Sequence, residues 1–248
     1  MDSKIKQEMI DNHEACRILN ETTAIIRPSA VLEKLHEKLS DTDIQIGADA
    51  VNKQTELNKI KIQLCQGCKQ TSCLNKDRYV FHSLPNGNTN SDIVFVNKMP
   101  TEYEACNMCS HIDRHGVFLS MILSKLNISR DDVYCTDLIK CIENPDQSSC
   151  QECMRCYFEK EISLVKPKII IFNGLAGIKA CSAMNVITGL PQQITYGNIY
   201  NARMASGAEV KLTAIYDLDK VLEKQGSDYE KCKAELWAQL VAAIKAIQ

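Results

Sequence analysis

Residues 131–174 read DDVYCTDLIKCIENPDQSSCQECMRCYFEKEISLVKPKIIIFNG, and the order of patterns in this stretch decides the fold. A strand-length β-branched run at 132–136 is followed by a helical pattern from about 150 to 165 and by a second run, KIIIFN, at 168–173. A strand, a helix and another strand make a βαβ unit, in which the strands are parallel and the helix covers the sheet. Cys141 and Cys156 lie within the connection, with fourteen residues between them.

Working outward, DIVFV at 92–96 and VKLTAI at 210–215 have the same length and composition and predict two further strands. Helical patterns fall between them at about 116–126 and 174–184, and a closing helix over 229–247 places Leu236, Leu240 and Ile244 on one face. Strands alternating with helices imply an α/β domain with a parallel sheet covered on both faces. Residues 1–60 are different: rich in Glu, Lys, Asn and Asp, they predict helices over about 3–20, after Pro28 with Ser29 as N-cap, and over about 48–64. The expected organisation is a helical extension, 1–60, followed by the α/β domain, 61–248.

The chain has 13 Cys in 248 residues, an odd number, and opens MDSKIKQEMIDNHE without an apolar signal segment. The expected compartment is the cytoplasm, where cysteines serve as reduced thiols or metal ligands rather than as a disulfide framework. No run approaches the roughly 18 apolar residues of a membrane span. A formal net charge of -2 and a pI near 6.2 exclude a surface built wholly for nucleic acid and leave room for a local basic groove. The CxxC at Cys65 and Cys68, taken with Cys141 and Cys156, supplies the four thiolates that an iron–sulfur cluster or a structural zinc requires. Cys73 and Cys153 compete with these as ligands.

The order CxxC, strand, DLIKC turn, further cysteine and KPK-apolar strand resembles the iron–sulfur uracil-DNA glycosylases of family 4, over about residues 60–245. The resemblance implies a three-layer fold around a central parallel four-stranded sheet. It also implies a [4Fe–4S] cluster on Cys65, Cys68, Cys141 and Cys156, with zinc as the alternative metal, and DNA as partner, single-stranded or with a flipped base. In that family the strand ends carry the chemistry, and here they are altered. Lys98 takes the place of the water-positioning acid in the loop after the first strand, leaving Glu102 and Glu104 further along as the available carboxylates. His111 aligns with the phenylalanine that stacks on the base, and Asp137 with the asparagine that reads uracil. Tyr216 and Asp217 stand where the family has the histidine that stabilises the departing oxygen.

These changes matter chemically. A carboxamide offers a donor and an acceptor to a base edge, whereas an ionised carboxylate only accepts. Losing a charged donor at the leaving oxygen removes about 2.7–4 kcal/mol of transition-state stabilisation. The expected function is a DNA-binding, glycosylase-like protein; if active, it is a monofunctional N-glycosylase using water, with Glu102, Glu104 and Tyr216 as catalytic candidates and His111 and Asp137 as base-binding candidates. The alternative is an inactive scaffold of the same fold that binds DNA, or a protein partner through the N-terminal helices. A second constellation, Cys106, Cys109, His111 and His115, has ligand chemistry suited to zinc at a spacing too compact for the usual finger.

Overall fold

The computed structural model describes residues 41–65, 82–142 and 147–248. The helices expected over 3–20 and after Pro28 lie outside the described residues, as do Cys68 and Cys73. The chain divides into two compact units, Met1–Gln66 and Gly67–Gln248. Helix α1, Asp41–Cys65, is the described part of the first.

The second unit runs β1 (Asn86–Gly87), β2 (Ile93–Asn97), α2 (Glu102–Cys106), α3 (Arg114–Lys125), β3 (Tyr134–Asp137), α4 (Gln147–Cys153), a π-helical turn (Met154–Phe158) and α5 (Glu159–Val165). It continues with β4 (Ile169–Asn173), α6 (Leu175–Ala183), β5 (Ile187–Thr188), β6 (Tyr200–Met204), β7 (Glu209–Ile215), α7 (Leu218–Leu222) and α8 (Gly226–Lys245). The sheet order is β1-β3-β2-β4-β7-β6-β5. The four strands read from the sequence form its parallel centre, β3-β2-β4-β7. The expected four-stranded sheet is therefore enlarged to seven, because β1 adds to β3 and β6 to β7 in antiparallel sense, with β5 beyond.

The central strands are buried on both faces, as their unbroken β-branched runs require. On one face Ile93, Phe95, Ile169 and Ile171 pack with Leu119 and Leu123 of α3 and with Leu236 and Leu240 of α8. Each such side chain contributes about 2 kcal/mol of burial. On the other, Val94, Val96, Ile170 and Phe172 are equally buried, and Gly177 of α6 approaches Phe172 so closely that a Cβ would stand 3.0 Å from its ring. The connection from β3 to β4 ends at Lys166, which adopts the left-handed region (φ 55) directly before Pro167, so the helix stops where the chain must become extended.

Among the described residues, no helix is long and apolar enough to cross a membrane.

Candidate functional site

Three of the parallel strands end in a polar residue at the carboxyl edge of the sheet: Asn97 on β2, Asp137 on β3 and Asn173 on β4. That edge is where open α/β sheets hold ligands. The two amides are oriented by the backbone. The Leu218 N–H donates to Asn173 Oδ1 at 2.8 Å, and Asn173 Nδ2 donates to Asn97 Oδ1 at 2.9 Å. Asn97 Nδ2 is thereby turned toward His115 Nε2, at 3.0 Å, and His111 Nδ1, at 3.5 Å.

Glu104 organises the loop after β2. Thr101 caps α2 and receives the Glu104 N–H, while the Thr101 N–H donates to Glu104 Oε2 at 3.0 Å, a reciprocal capping box. The other oxygen, Oε1, accepts the His111 N–H and lies 3.2 Å from His115 Nε2. Glu104 is fully buried, with both oxygens engaged inside the protein. His111 sits in the left-handed region (φ 58), and Gly116 is the residue that lets α3 approach it: a Cβ there would stand 2.0 Å from the His111 carbonyl oxygen.

The two imidazoles differ in charge for identifiable reasons. Burial, with the charges of His115 and Arg130 adding to it, holds His111 well below the usual histidine range, so it is neutral; its Nδ1 is 2.8 Å from Ser110 Oγ and its Nε2 has no partner among the described residues. Burial alone would lower His115 too. The hydrogen bond and charge of Glu104, with the charges of Asp113 and Asp219, outweigh burial and raise it to about 8. His115 Nδ1 is 2.5 Å from Asp113 Oδ1 and 3.1 Å from Asp219 Oδ2, with neither in line for a hydrogen bond.

Asp137 pairs with Asn97 across the β2–β3 register and is fully buried. Ser83 Oγ donates to its Oδ2, and its Oδ1 has no partner among the described residues. Burial, reinforced by the charge of Glu104 and only partly offset by Ser83 and Lys140, pushes its carboxyl up to about 6.

The fold brings Glu104 and His111 into contact and places Asp137 beside them. The remaining sequence-derived residues lie elsewhere. Glu102 is exposed on the first turn of α2. Tyr216 donates its hydroxyl proton to Glu235 of α8 and meets Tyr196 edge-on at 4.7 Å; the Glu235 hydrogen bond, then burial, raises its hydroxyl to about 12. Asn97, Asn173 and His115 in its pairing with Glu104 are the site residues that sequence reasoning missed. The signal was there as a polar residue closing each apolar run and as the T-x-x-E of the capping box. Of the compact Cys/His constellation, the two histidines come together with Glu104, whereas the Cys109 sulfur accepts from Asn86 Nδ2 at 2.7 Å.

Cys141, Cys150 and Cys153 are buried, and Cys156 is half-buried on the π-helical turn. The Lys140 N–H points at Cys153 Sγ from 3.5 Å. A buried sulfur that accepts a backbone N–H suits a ligating thiolate, since such bonds stabilise negative charge on sulfur. This places Cys153 next to the Cys141 segment and keeps it beside Cys156 as a ligand candidate. The Cys65 side chain and all of Cys68 lie outside the described residues. Next to these thiols, Lys140 Nζ is 2.9 Å from Glu161 Oε2 and 2.5 Å from Thr136 Oγ1, an ion pair with both members no more than 1% exposed.

A three-layer α/β domain with a buried polar constellation at its parallel strand ends defines a ligand-binding or catalytic member of the open-sheet class. The family model described as the Uracil DNA glycosylase superfamily matches residues 84–241, and the chain belongs to that superfamily. It is similar to the Type-4 uracil-DNA glycosylase of Archaeoglobus fulgidus, 25% identical over 154 residues that cover 58% of this chain and 77% of that protein. The Type-4 uracil-DNA glycosylase of Pyrobaculum aerophilum is 30% identical over 113 residues, 44% of this chain and 57% of that protein. The Saccharolobus solfataricus protein of the same description is 27% identical over 120 residues, 46% of this chain and 52% of its own length. The chain thus spans little more than half the length of the latter two relatives.

Proposed function

We propose that this chain is an iron–sulfur DNA-binding protein of the uracil-DNA glycosylase type that takes a flipped base at the carboxyl ends of β2 and β3. The observation that carries the reading is Asp137 Oδ1, a buried acceptor without a partner among the described residues at the end of β3. An unpaired buried carboxylate oxygen is costly, and an N–H from a base edge would satisfy it. Below about pH 6 the repertoire widens: a protonated carboxyl offers one donor and one acceptor, as the amide of asparagine does.

In this reading Asp137 reads the base edge and His111 packs on the base. Glu102 or Glu104 would orient the attacking water, and Tyr216 would have to leave its hydrogen bond to Glu235 to serve the departing oxygen. Glu104 has both oxygens committed, which leaves Glu102 as the carboxylate open to solvent. Cys65, Cys68 and Cys141, with Cys156 or Cys153, would hold a [4Fe–4S] cluster, with zinc as the alternative metal. When bound, the cluster supplies a thiolate cross-link among those positions. DNA, single-stranded or with an extruded base, is the proposed partner, in the cytoplasm, and the helices of residues 1–60 are the proposed surface for a protein partner.

A second reading, a scaffold that binds DNA without excising a base, is favoured by the engagement of Glu104 and by the Tyr216 hydroxyl donating to Glu235. A glycosylase assay on cluster-loaded protein separates the two, using single-stranded and duplex oligonucleotides carrying uracil, hypoxanthine or xanthine, with alkali to reveal abasic sites. Cleavage that is lost in Asp137→Ala supports base reading and excision. No cleavage, with salt-sensitive binding to the same oligonucleotides, establishes the scaffold. Neither cleavage nor binding removes the DNA reading.

A further inference from the structure

We propose that Glu104, His111 and His115 form a second metal site, for zinc, separate from the cysteine ligands; it draws on Glu104 and His111, which the DNA reading also uses, and its test reads metal rather than DNA. The three side chains are 0%, 3% and 2% exposed, and one ligand atom from each lies within 4.8 Å of the other two. Nitrogen and carboxylate donors of this kind are zinc ligands, bound at about 2.0–2.2 Å, which sets tetrahedral donor–donor separations near 3.3 Å. Glu104 Oε1 and His115 Nε2, 3.2 Å apart, already stand at that separation. Only His111 has to close in.

The surroundings have the form of a metal site's outer shell. A ligating histidine ordinarily turns its second nitrogen to a carboxylate, which raises its basicity and fixes the ring. His115 approaches this arrangement: with Nε2 toward Glu104, its Nδ1 lies 2.5 Å from Asp113 Oδ1 and 3.1 Å from Asp219 Oδ2, close enough that a small rotation of the ring would align one of them. Without an ion the polar accounts do not close. His115 Nε2 faces the Asn97 Nδ2 donor and the Glu104 Oε1 acceptor together, and neither protonation state satisfies both. A cation shared by Nε2 and Oε1 removes the conflict with the carboxylate. His111 carries a buried ring nitrogen with no partner among the described residues, and an unsatisfied buried polar atom in a native site points to an unplaced water or ion. The local charge agrees, since Glu104 and Asp137 are buried carboxylates at the head of the sheet, with Asp113 and Asp219 close behind.

Three protein donors leave a fourth position for water or a ligand, which is the composition of an open rather than a closed zinc site. His111 also lines a cleft of about 340 Å³ with Asn86, Gly116, Ser120 and Arg130, so one of the three ligand residues borders open space. The compact Cys/His motif of this loop thus contributes its histidines to the metal and takes its third ligand from Glu104.

The test is zinc chloride titrated calorimetrically into full-length, cluster-loaded protein stripped of labile zinc, with iron and zinc counted after gel filtration. The expected result is one zinc per chain beyond the iron. Binding should weaken by about 100-fold or more in both His111→Asn and Glu104→Gln. Asparagine tolerates the left-handed backbone at 111, so His111→Asn keeps the fold and decides the matter if Glu104→Gln does not fold. Cobalt(II) in place of zinc should give ligand-field bands without thiolate charge transfer. Wild-type protein that takes up no zinc, zinc retained in full by His111→Asn, or a thiolate charge-transfer band would each overturn the proposal.

Discussion

His115 Nε2 stands 3.2 Å from Glu104 Oε1, with the two side chains 2% and 0% exposed. One buried carboxylate thereby ties together the cap of α2, the backbone of His111 and the first turn of α3. The loop after β2 is held as a closed unit.

Removing that carboxylate strands its partners. Glu104→Ala leaves the Thr101 and His111 N–H groups and the His115 ring without their acceptor. A loss of about 3 kcal/mol or more is expected from breaking a buried charge pair on one side only, read as a lower urea midpoint with an unchanged slope.

The raised pKa of Asp137 makes stability depend on pH with a defined sign. Its carboxyl titrates near 3.8 unfolded and at about 6 folded, so the folded state holds the extra proton between those values. Stability is therefore greatest below the unfolded pKa and is lost as pH rises through about 6, by about 3 kcal/mol in all. Asp137→Asn cannot titrate. Its stability relative to wild type should climb between about pH 4 and pH 6 and then level off; a difference that stays constant with pH across chemical denaturation curves would refute the assignment.

Gly116→Ala places a methyl group 2.0 Å from the His111 carbonyl oxygen, a backbone atom that cannot swing aside. The expected cost is about 3 kcal/mol. His111 must also shift, so its ring resonances in an NMR spectrum should move. Unmoved resonances would mean that α3 had retreated instead.

Lys140 and Glu161 form a buried pair whose members are worth more to each other than to the fold. Lys140→Met alone should cost about 3–5 kcal/mol by leaving buried Glu161 without its cationic partner, whereas Lys140→Met with Glu161→Leu should recover most of that loss. A double variant as unstable as the sum of the two single ones would show that the pair is not coupled in the way its 2.9 Å contact implies.

The parallel centre of the sheet was legible because strands such as Ile169–Asn173 are unbroken β-branched runs, the pattern of a strand buried on both faces. The antiparallel edges were not. Asn86–Gly87 and Ile187–Thr188 are two residues long and carry no period, although Tyr200–Met204 buries Ala202 and Met204 in alternation and was readable in principle. Of the residues gathered at the strand ends, Glu104, His111 and Asp137 were named from the sequence. The partnership of Asn97, Asn173 and His115 was not, since it depends on how far apart three strand ends and a helix start lie in space. The position of Tyr216 against Glu235 likewise depends on where α8 packs, which no local pattern states.

The π-helical turn at Met154–Phe158 acts as a phase corrector. From Cys150 to Val165 the buried positions Cys150, Met154, Phe158 and Ile162 recur every four residues, with Cys153, Tyr157, Glu161 and Val165 repeating in step beside them. An α-helix turns once in 3.6 residues, so a four-residue repeat advances by about 40° each time and would wind the stripe off the core within three repeats. The wider turn absorbs the excess and keeps Cys150, Cys153 and Glu161 on one side of a single rod. The length of this segment is therefore not free to vary. Deleting one residue from it would rotate everything downstream by about 100°, swinging Glu161 away from Lys140 while leaving Cys150 and Cys153 where they are.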